Sequence, residues 1–187
     1  MQSTKSLTNQ FLIAMPGLED PNFSRTVTYI CEHNEQGAMG IIVNRPINIR
    51  LGEMLDQLEI SSIHTDTRNI PIYLGGPVQT DRGFVIHSGH QTWDSTLQIA
   101  PEINITTSRD ILEAIAQGRG PTYVLIALGY AGWLSGQIEE EIGTNTWLSS
   151  PASANVLFSI PTEQRWQAAA QGLGIDMGFL SVTAGHA

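Results

Sequence analysis

The longest apolar stretch, residues 123–134, is the feature that most limits how this chain can fold. Gly129 and Gly132 interrupt it, and it is much shorter than the roughly 20 apolar residues that cross a bilayer. Its first part, together with residue 122, is a continuous apolar run typical of a central strand buried on both faces. We therefore predict a buried strand over 122–128, a turn at 129–132 and a helix from about Trp133 to Ile142.

Periodicity places further elements on both sides of this strand. Residues 25–31 alternate, with Val27, Tyr29 and Cys31 on one face, and a polar turn at 32–37 leads into a second strand over 38–43, which predicts a hairpin. Pro46 ends that strand. Further strands are predicted at 11–15, 72–74, 83–88, 98–106 and 156–160, helices at 51–58, 108–118 and 161–172, and a long loop at 60–69.

Strands dominate the first half of the chain, and helices intervene in the second. This order predicts an α+β or mixed α/β sandwich, with helices packed on a largely antiparallel sheet. The length of 187 residues suits one domain over residues 1–187, with residues 1–9 as a flexible N-terminus. The absence of an apolar leader and the single Cys31 predict a cytoplasmic protein in a reducing compartment, without a membrane segment.

The charge balance argues against two classes of partner. The chain carries 9 Lys and Arg against 18 Asp and Glu, for a net charge of −9, and Lys5 is its one lysine. Direct nucleic-acid binding depends on basic patches that this composition does not favour. Anionic membrane surfaces are disfavoured for the same reason.

No motif in the sequence completes a known catalytic or metal site. Ser135 in Gly132-Trp-Leu-Ser-Gly136 stands one place too late for a nucleophile elbow. The glycines at 129 and 132 could leave free N–H groups for an anion, but no Lys-Ser/Thr pair follows as in a P-loop. The histidines do not have metal-ligand spacing. We predict no catalytic residue, no metal site and no cofactor.

The predicted helix after residue 132 is the most informative polar segment. Stepped at 100° per residue, it places Trp133, Gln137, Glu140 and Glu141 on one face, with Glu139 apart. Such a face could be a recognition surface or supply a general acid and base. It could also be a solvated acidic face with Trp133 half buried.

Short strings spread in order along nearly the whole chain resemble the YqgE/AlgH family. They are FLIAMP (11–16), DPNF (20–23), CEHN (31–34), GAMG (37–40), NRP (44–46), GGPV (75–78), RGFV (82–85), GYAGW (129–133), GQ (136–137) with Glu139, Glu141 and Trp147, and GHA (185–187). The resemblance implies a bacterial cytoplasmic protein with an α/β-sandwich fold. The family is named for putative transcriptional regulation, and the resemblance implies no reaction and no agreed active site.

The residues and the resemblance together lead to two hypotheses. The first is a non-enzymatic regulatory or interaction protein, a monomer or weak oligomer, that acts through a protein partner or small ligand. The second is a hydrolase or transferase with Glu139 or Glu141 as base and Arg45 or Arg82 as clamp. The candidate binding residues are Asn44, Arg45, Arg82, Gly129, Tyr130, Gly132, Trp133, Gln137, Glu139 and Glu141.

Overall fold

A computed structural model describes residues 5–178 and residue 180 of the chain. Its strands are Gln10–Ala14 (β1), Val27–Asn34 (β2), Gly37–Ile42 (β3), Pro46–Arg50 (β4), Pro71–Leu74 (β5), Val78–His87 (β6), Thr96–Ala100 (β7), Ile103–Thr106 (β8), Val124–Leu134 (β9) and Trp147–Pro151 (β10). Its α-helices are Leu51–Gln57 (α1), Thr65–Arg68 (α2), Arg109–Ala116 (α3), Gln137–Gly143 (α4), Ala154–Phe158 (α5) and Arg165–Gln171 (α6).

The strands join in the order β10-β1-β2-β3-β9-β6-β8-β7, and β4 and β5 form a short branch beside β9. All of these pairings are antiparallel except the one between β5 and β9. The prediction of a single α+β domain with a largely antiparallel sheet is confirmed.

Strand β9 is the centre of the sheet. Its first half lies between β5 and β6, and its second half pairs with β3, so that Trp133 stands opposite Ala38. The prediction of a turn at 129–132 and a helix from Trp133 is therefore wrong, because β3 offers these residues a partner strand. Helix α4 begins only at Gln137, after Gly136 adopts a positive φ of 77°.

Helices α1 and α3 cover one face of the sheet. Leu55 from α1 and Ile111 from α3 join Val85 and Ile126 of the sheet in one apolar cluster. The start of α1 is fixed locally, because the Arg50 backbone N–H donates to the Glu53 carboxylate at 2.9 Å.

Helices α5 and α6 contribute to a second apolar cluster with the other face. Leu157 and Trp166 belong to it together with Val27, Tyr29 and Cys31, the three residues that the alternation of β2 placed on one face. The hairpin of β2 and β3 follows the prediction, with one register shift between Ile30 and Glu32.

Four further segments differ from the sequence-based expectation. Residues 154–158 form a helix instead of a strand, because the Ser153 hydroxyl accepts a hydrogen bond from the Val156 backbone N–H at its first turn. The expected loop at 60–69 contains helix α2, and the edge strands β4 and β10 were not predicted.

The N-terminal segment expected to be flexible is anchored where the structure describes it. The Leu7 backbone N–H donates to His33 Nδ1 at 2.8 Å, and the Asn9 backbone N–H donates to the Ile30 carbonyl at 2.9 Å. Residues 1–4 lie outside the described part of the chain, as does the GHA string at 185–187.

Candidate functional site

The carboxylate of Glu141 joins two tryptophans from different strands. Its Oε2 accepts the indole N–H of Trp133 and that of Trp147, both at 2.9 Å, and its Oε1 accepts the Gln137 amide at 3.1 Å. The Phe23 ring packs edge-on against Trp147 at 5.5 Å between ring centroids. Trp133 is only 7% exposed, so it is not half buried as the alternative of a solvated acidic face expected. Trp133, Gln137 and Glu141 satisfy one another.

Glu139 turns to the other side of α4 and meets His33 of β2. The imidazole Nε2 lies 2.6 Å from Glu139 Oε1. Since Nδ1 accepts the Leu7 backbone N–H, the proton of a neutral His33 is on Nε2, which donates to the carboxylate. The other oxygen, Oε2, is buried and has no hydrogen-bond partner among the described residues. His33 itself is buried, with 7% of its surface exposed.

Asn44 and Arg45 fix the chain segment that precedes β2. Asn44 accepts the Val27 backbone N–H and donates to the Arg25 carbonyl, each at 2.9 Å. Arg45 donates to the carbonyls of Pro21 and Ser24. The polar groups of both side chains therefore bind the protein's own backbone.

Gly129, Tyr130 and Arg82 meet where the β5–β6 connection crosses β9. Gly129 has a φ of +80°, and a Cβ there would lie 2.5 Å from the Gly76 carbonyl oxygen, so the crossing needs glycine. The ring of Tyr130 packs edge-on against Phe84 at 5.9 Å, and the Arg82 guanidinium lies 5.2 Å from the centre of the same ring.

The candidate binding residues thus fall into four groups, since Glu139 is separate from Glu141, and Gly132 lies beside the last group on β9, where it pairs with Met39. None of the hydrogen bonds among the described residues joins Glu139 or Glu141 to Arg45 or Arg82. The carboxylate–arginine arrangement of the hydrolase or transferase hypothesis is not formed by these contacts. Ser135, the tested nucleophile, donates to the Glu35 carbonyl.

A cleft between α1 and α3 was missed by the sequence analysis. It has a volume of about 390 Å³ and opens over β6 and β9, within the size range of small-molecule sites. Its apolar wall comes from Ile49, Met54, Leu58, Val85, Leu112, Ile126 and Leu128. The helical spacing of Met54, Leu58 and Leu112 predicted the two helices, and no local pattern shows that these helices leave a gap.

Polar groups stand at the margin of this cleft. Arg109, the first residue of α3, donates to the Leu58 carbonyl at 2.7 Å and to the Glu113 carboxylate at 3.1 Å. Gln57, Asp81 and Thr107 are exposed and line the cleft as well. No ion pair of Asp81 occurs within the described part of the chain.

A buried hydrogen-bond chain borders the cleft through Thr106. His87 Nε2 lies 2.7 Å from the Thr106 hydroxyl, and that hydroxyl lies 2.7 Å from the Thr96 hydroxyl. Burial lowers the pKa of His87, and Thr106 is 0% exposed. The pair is consequently a neutral, inaccessible part of the core and not a nucleophile with its base.

Residues 5–178 and 180 contain neither a clustered set of metal ligands nor a helix of membrane-spanning length. No group of three His, Cys, Asp or Glu side chains there is placed to hold a metal ion. None of the helices in that part is long and apolar enough to cross a membrane. Burial raises the pKa of the Cys31 thiol to about 12.

Comparisons with known proteins identify the family. Residues 11–178 match the AlgH-like family model. A UPF0301 protein of Thioalkalivibrio sulfidiphilus is 56% identical over 187 residues, 100% of both chains. A UPF0301 protein of Saccharophagus degradans is 55% identical over 182 residues, covering 97% of this chain and 89% of the relative.

Solved structures agree with this assignment. The solution structure of the AlgH protein from Pseudomonas aeruginosa has a TM-score of 0.80 and 50% identity, covering 100% of this chain and 99% of that one. A crystal structure from Corynebacterium diphtheriae, 18% identical, has the same fold, with a TM-score of 0.76 over 97% of this chain and 94% of that one. The chain belongs to the AlgH-like family.

Proposed function

We propose that this chain is a non-enzymatic binding protein whose small ligand places an apolar body in the cleft between α1 and α3. The observation that carries the proposal is the cleft itself, about 390 Å³ in volume with a predominantly apolar wall. Ligand pockets have this size and composition, with a few polar groups that orient the ligand. In contrast, the polar groups around Trp133 and Glu141 bind one another.

The net charge of −9 limits how a regulatory role could be exerted. Direct binding to DNA is disfavoured by that charge. We propose that any effect on transcription, the role after which the family is named, passes through a protein partner of a cytoplasmic monomer or weak oligomer. A ligand in the cleft would contact α1 and α3 together. A partner bound to the outer surface of these helices would then respond to any change in their relative position.

The binding step can be tested with N-phenyl-1-naphthylamine, a neutral probe that fluoresces in apolar sites. Wild type should enhance its emission saturably. Leu112→Trp adds bulk to the α3 side of the cleft and should lower probe affinity at least tenfold.

Leu97→Trp is the matched control, because Leu97 is 57% exposed on β7 and outside the cleft. Circular dichroism and urea unfolding should show that both variants are folded. No saturable enhancement with wild type, or equal enhancement with Leu112→Trp, would contradict the proposal.

A further inference from the structure

The two charged residues that line the cleft, Arg109 and Asp81, differ in their partners. The Arg109 guanidinium is engaged by the Glu113 carboxylate and the Leu58 carbonyl. Asp81 lines the same cleft and makes no ion pair within residues 5–178 and 180. Of the two charged residues that line the cleft, Arg109 is therefore paired and Asp81 is not paired within the described residues.

The backbone of β6 explains why Asp81 stands at this margin. Val78 pairs with Tyr130 and Gly83 pairs with Leu128, so five steps on β6 match two steps on β9. The surplus residues leave the ladder as a bulge, in which Gln79 has a positive φ of 45°. Asp81 belongs to this bulge and is exposed, so its carboxylate stands in solvent at the edge of the cleft.

The charge of the whole molecule, like that of Asp81, favours a positively charged ligand. The net charge of −9 raises the local concentration of cations and lowers that of anions. The remaining polar side chains at the margin include Gln57 and Thr107, which are neutral and can only add hydrogen bonds.

We propose that the ligand is a cationic amphiphile, that is, a protonated amine that carries a short alkyl or aryl group. This inference rests on the proposed function. The hydrocarbon part occupies the apolar wall formed by Leu112, Ile126 and Leu128. The ammonium group lies at the margin beside Asp81 and keeps part of its hydration. A carboxylate on the same hydrocarbon meets Asp81 with like charge and binds more weakly.

The test compares octylamine, 1-octanol and octanoate as competitors of N-phenyl-1-naphthylamine at neutral pH, each below its solubility limit and, for the two ions, below the micelle concentration. Wild type should bind octylamine about fivefold more tightly than octanol, the usual upper range for a solvated ion pair, and octanoate more weakly than octanol. The preference for octylamine should shrink as salt is added.

Asp81→Asn should make the affinities for octylamine and octanol equal. Asp66→Asn is the control, because Asp66 is exposed on α2 and outside the cleft, and it should keep the preference. Equal binding of the three competitors to wild type, tighter binding of octanoate, or a preference that survives Asp81→Asn would overturn the cationic-ligand inference alone. If neither the fluorescent probe nor any octyl compound binds wild type, the proposed function fails as well.

Discussion

Replacing Glu141 with alanine should unfold the chain at a markedly lower urea concentration. The substitution removes the acceptor of two indole N–H groups, those of Trp133 and Trp147, which are 7% and 3% exposed. A buried donor left without a partner costs about 1–3 kcal/mol. The two donors together set a range of about 2–6 kcal/mol.

We expect about 3 kcal/mol within that range, because Glu141 is half buried and water entering its place can recover part of the loss. At an m-value of about 2 kcal/mol per molar urea, this corresponds to a midpoint roughly 1.5 M lower. Far-UV circular dichroism is the suitable signal, since the fluorescence of the two tryptophans changes with the substitution itself.

Two matched variants test the reasoning. Glu140→Ala removes the neighbouring carboxylate, which is exposed, and should leave the midpoint nearly unchanged. Glu141→Gln keeps one acceptor oxygen but loses the charge, so it should recover about half of the lost stability. If Glu141→Ala and Glu140→Ala unfold at the same urea concentration, the Glu141 carboxylate does not stabilise the tryptophan pair.

Three further outcomes are expected. Burial lowers the pKa of His87, so as the pH falls the unfolded chain takes up a proton on this histidine before the folded chain does. The free energy of unfolding should therefore decrease as the pH falls below about 6.5, by at most about 1.4 kcal/mol per pH unit. Urea unfolding between pH 7 and 5.5 should show a smaller decrease for His87→Asn than for wild type. Burial raises the pKa of Cys31 to about 12, so a thiol reagent at pH 8 should label the protein only when urea is added, and rapid labelling of the native chain would disprove this. Gly76→Ala should lower the free energy of unfolding by about 3 kcal/mol or more, because its Cβ would lie 2.1 Å from the Tyr130 carbonyl carbon. Gly83→Ala is the control: its Cβ would meet nothing within 4 Å, and this variant should unfold near the wild-type midpoint.

The parts of the fold that follow local periodicity could be predicted from the sequence. The hairpin of β2 and β3 depends on an alternation of side chains over a few residues, and α1 and α3 depend on helical spacing. The capped helix α5 was missed although Ser153 is a local signal, because the Val-Leu-Phe run after it resembles a strand.

The course of the chain at residues 129–134 could not be predicted in this way. Glycine at 129 indicated a turn, but the structure requires it because the Gly76 backbone passes close by, about fifty residues away in sequence. The identity of Trp133 as a buried strand residue depends in the same way on its pairing with β3. Contacts between distant segments decide both positions, and local propensity carries no information about them.

Substitutions in the tryptophan cluster and in the cleft should therefore have independent effects, the first on stability and the second on ligand binding. Glu141 and its tryptophans lie in strands β9 and β10 and helix α4, whereas the cleft lies between α1 and α3. Because they share no residue, Glu141→Ala should lower the urea midpoint yet bind N-phenyl-1-naphthylamine with wild-type affinity in the absence of urea. Leu112→Trp should lose the probe with little change in midpoint. Loss of probe affinity in folded Glu141→Ala would instead place ligand recognition in the tryptophan cluster, and the motif that defines the family resemblance would then mark the binding site directly.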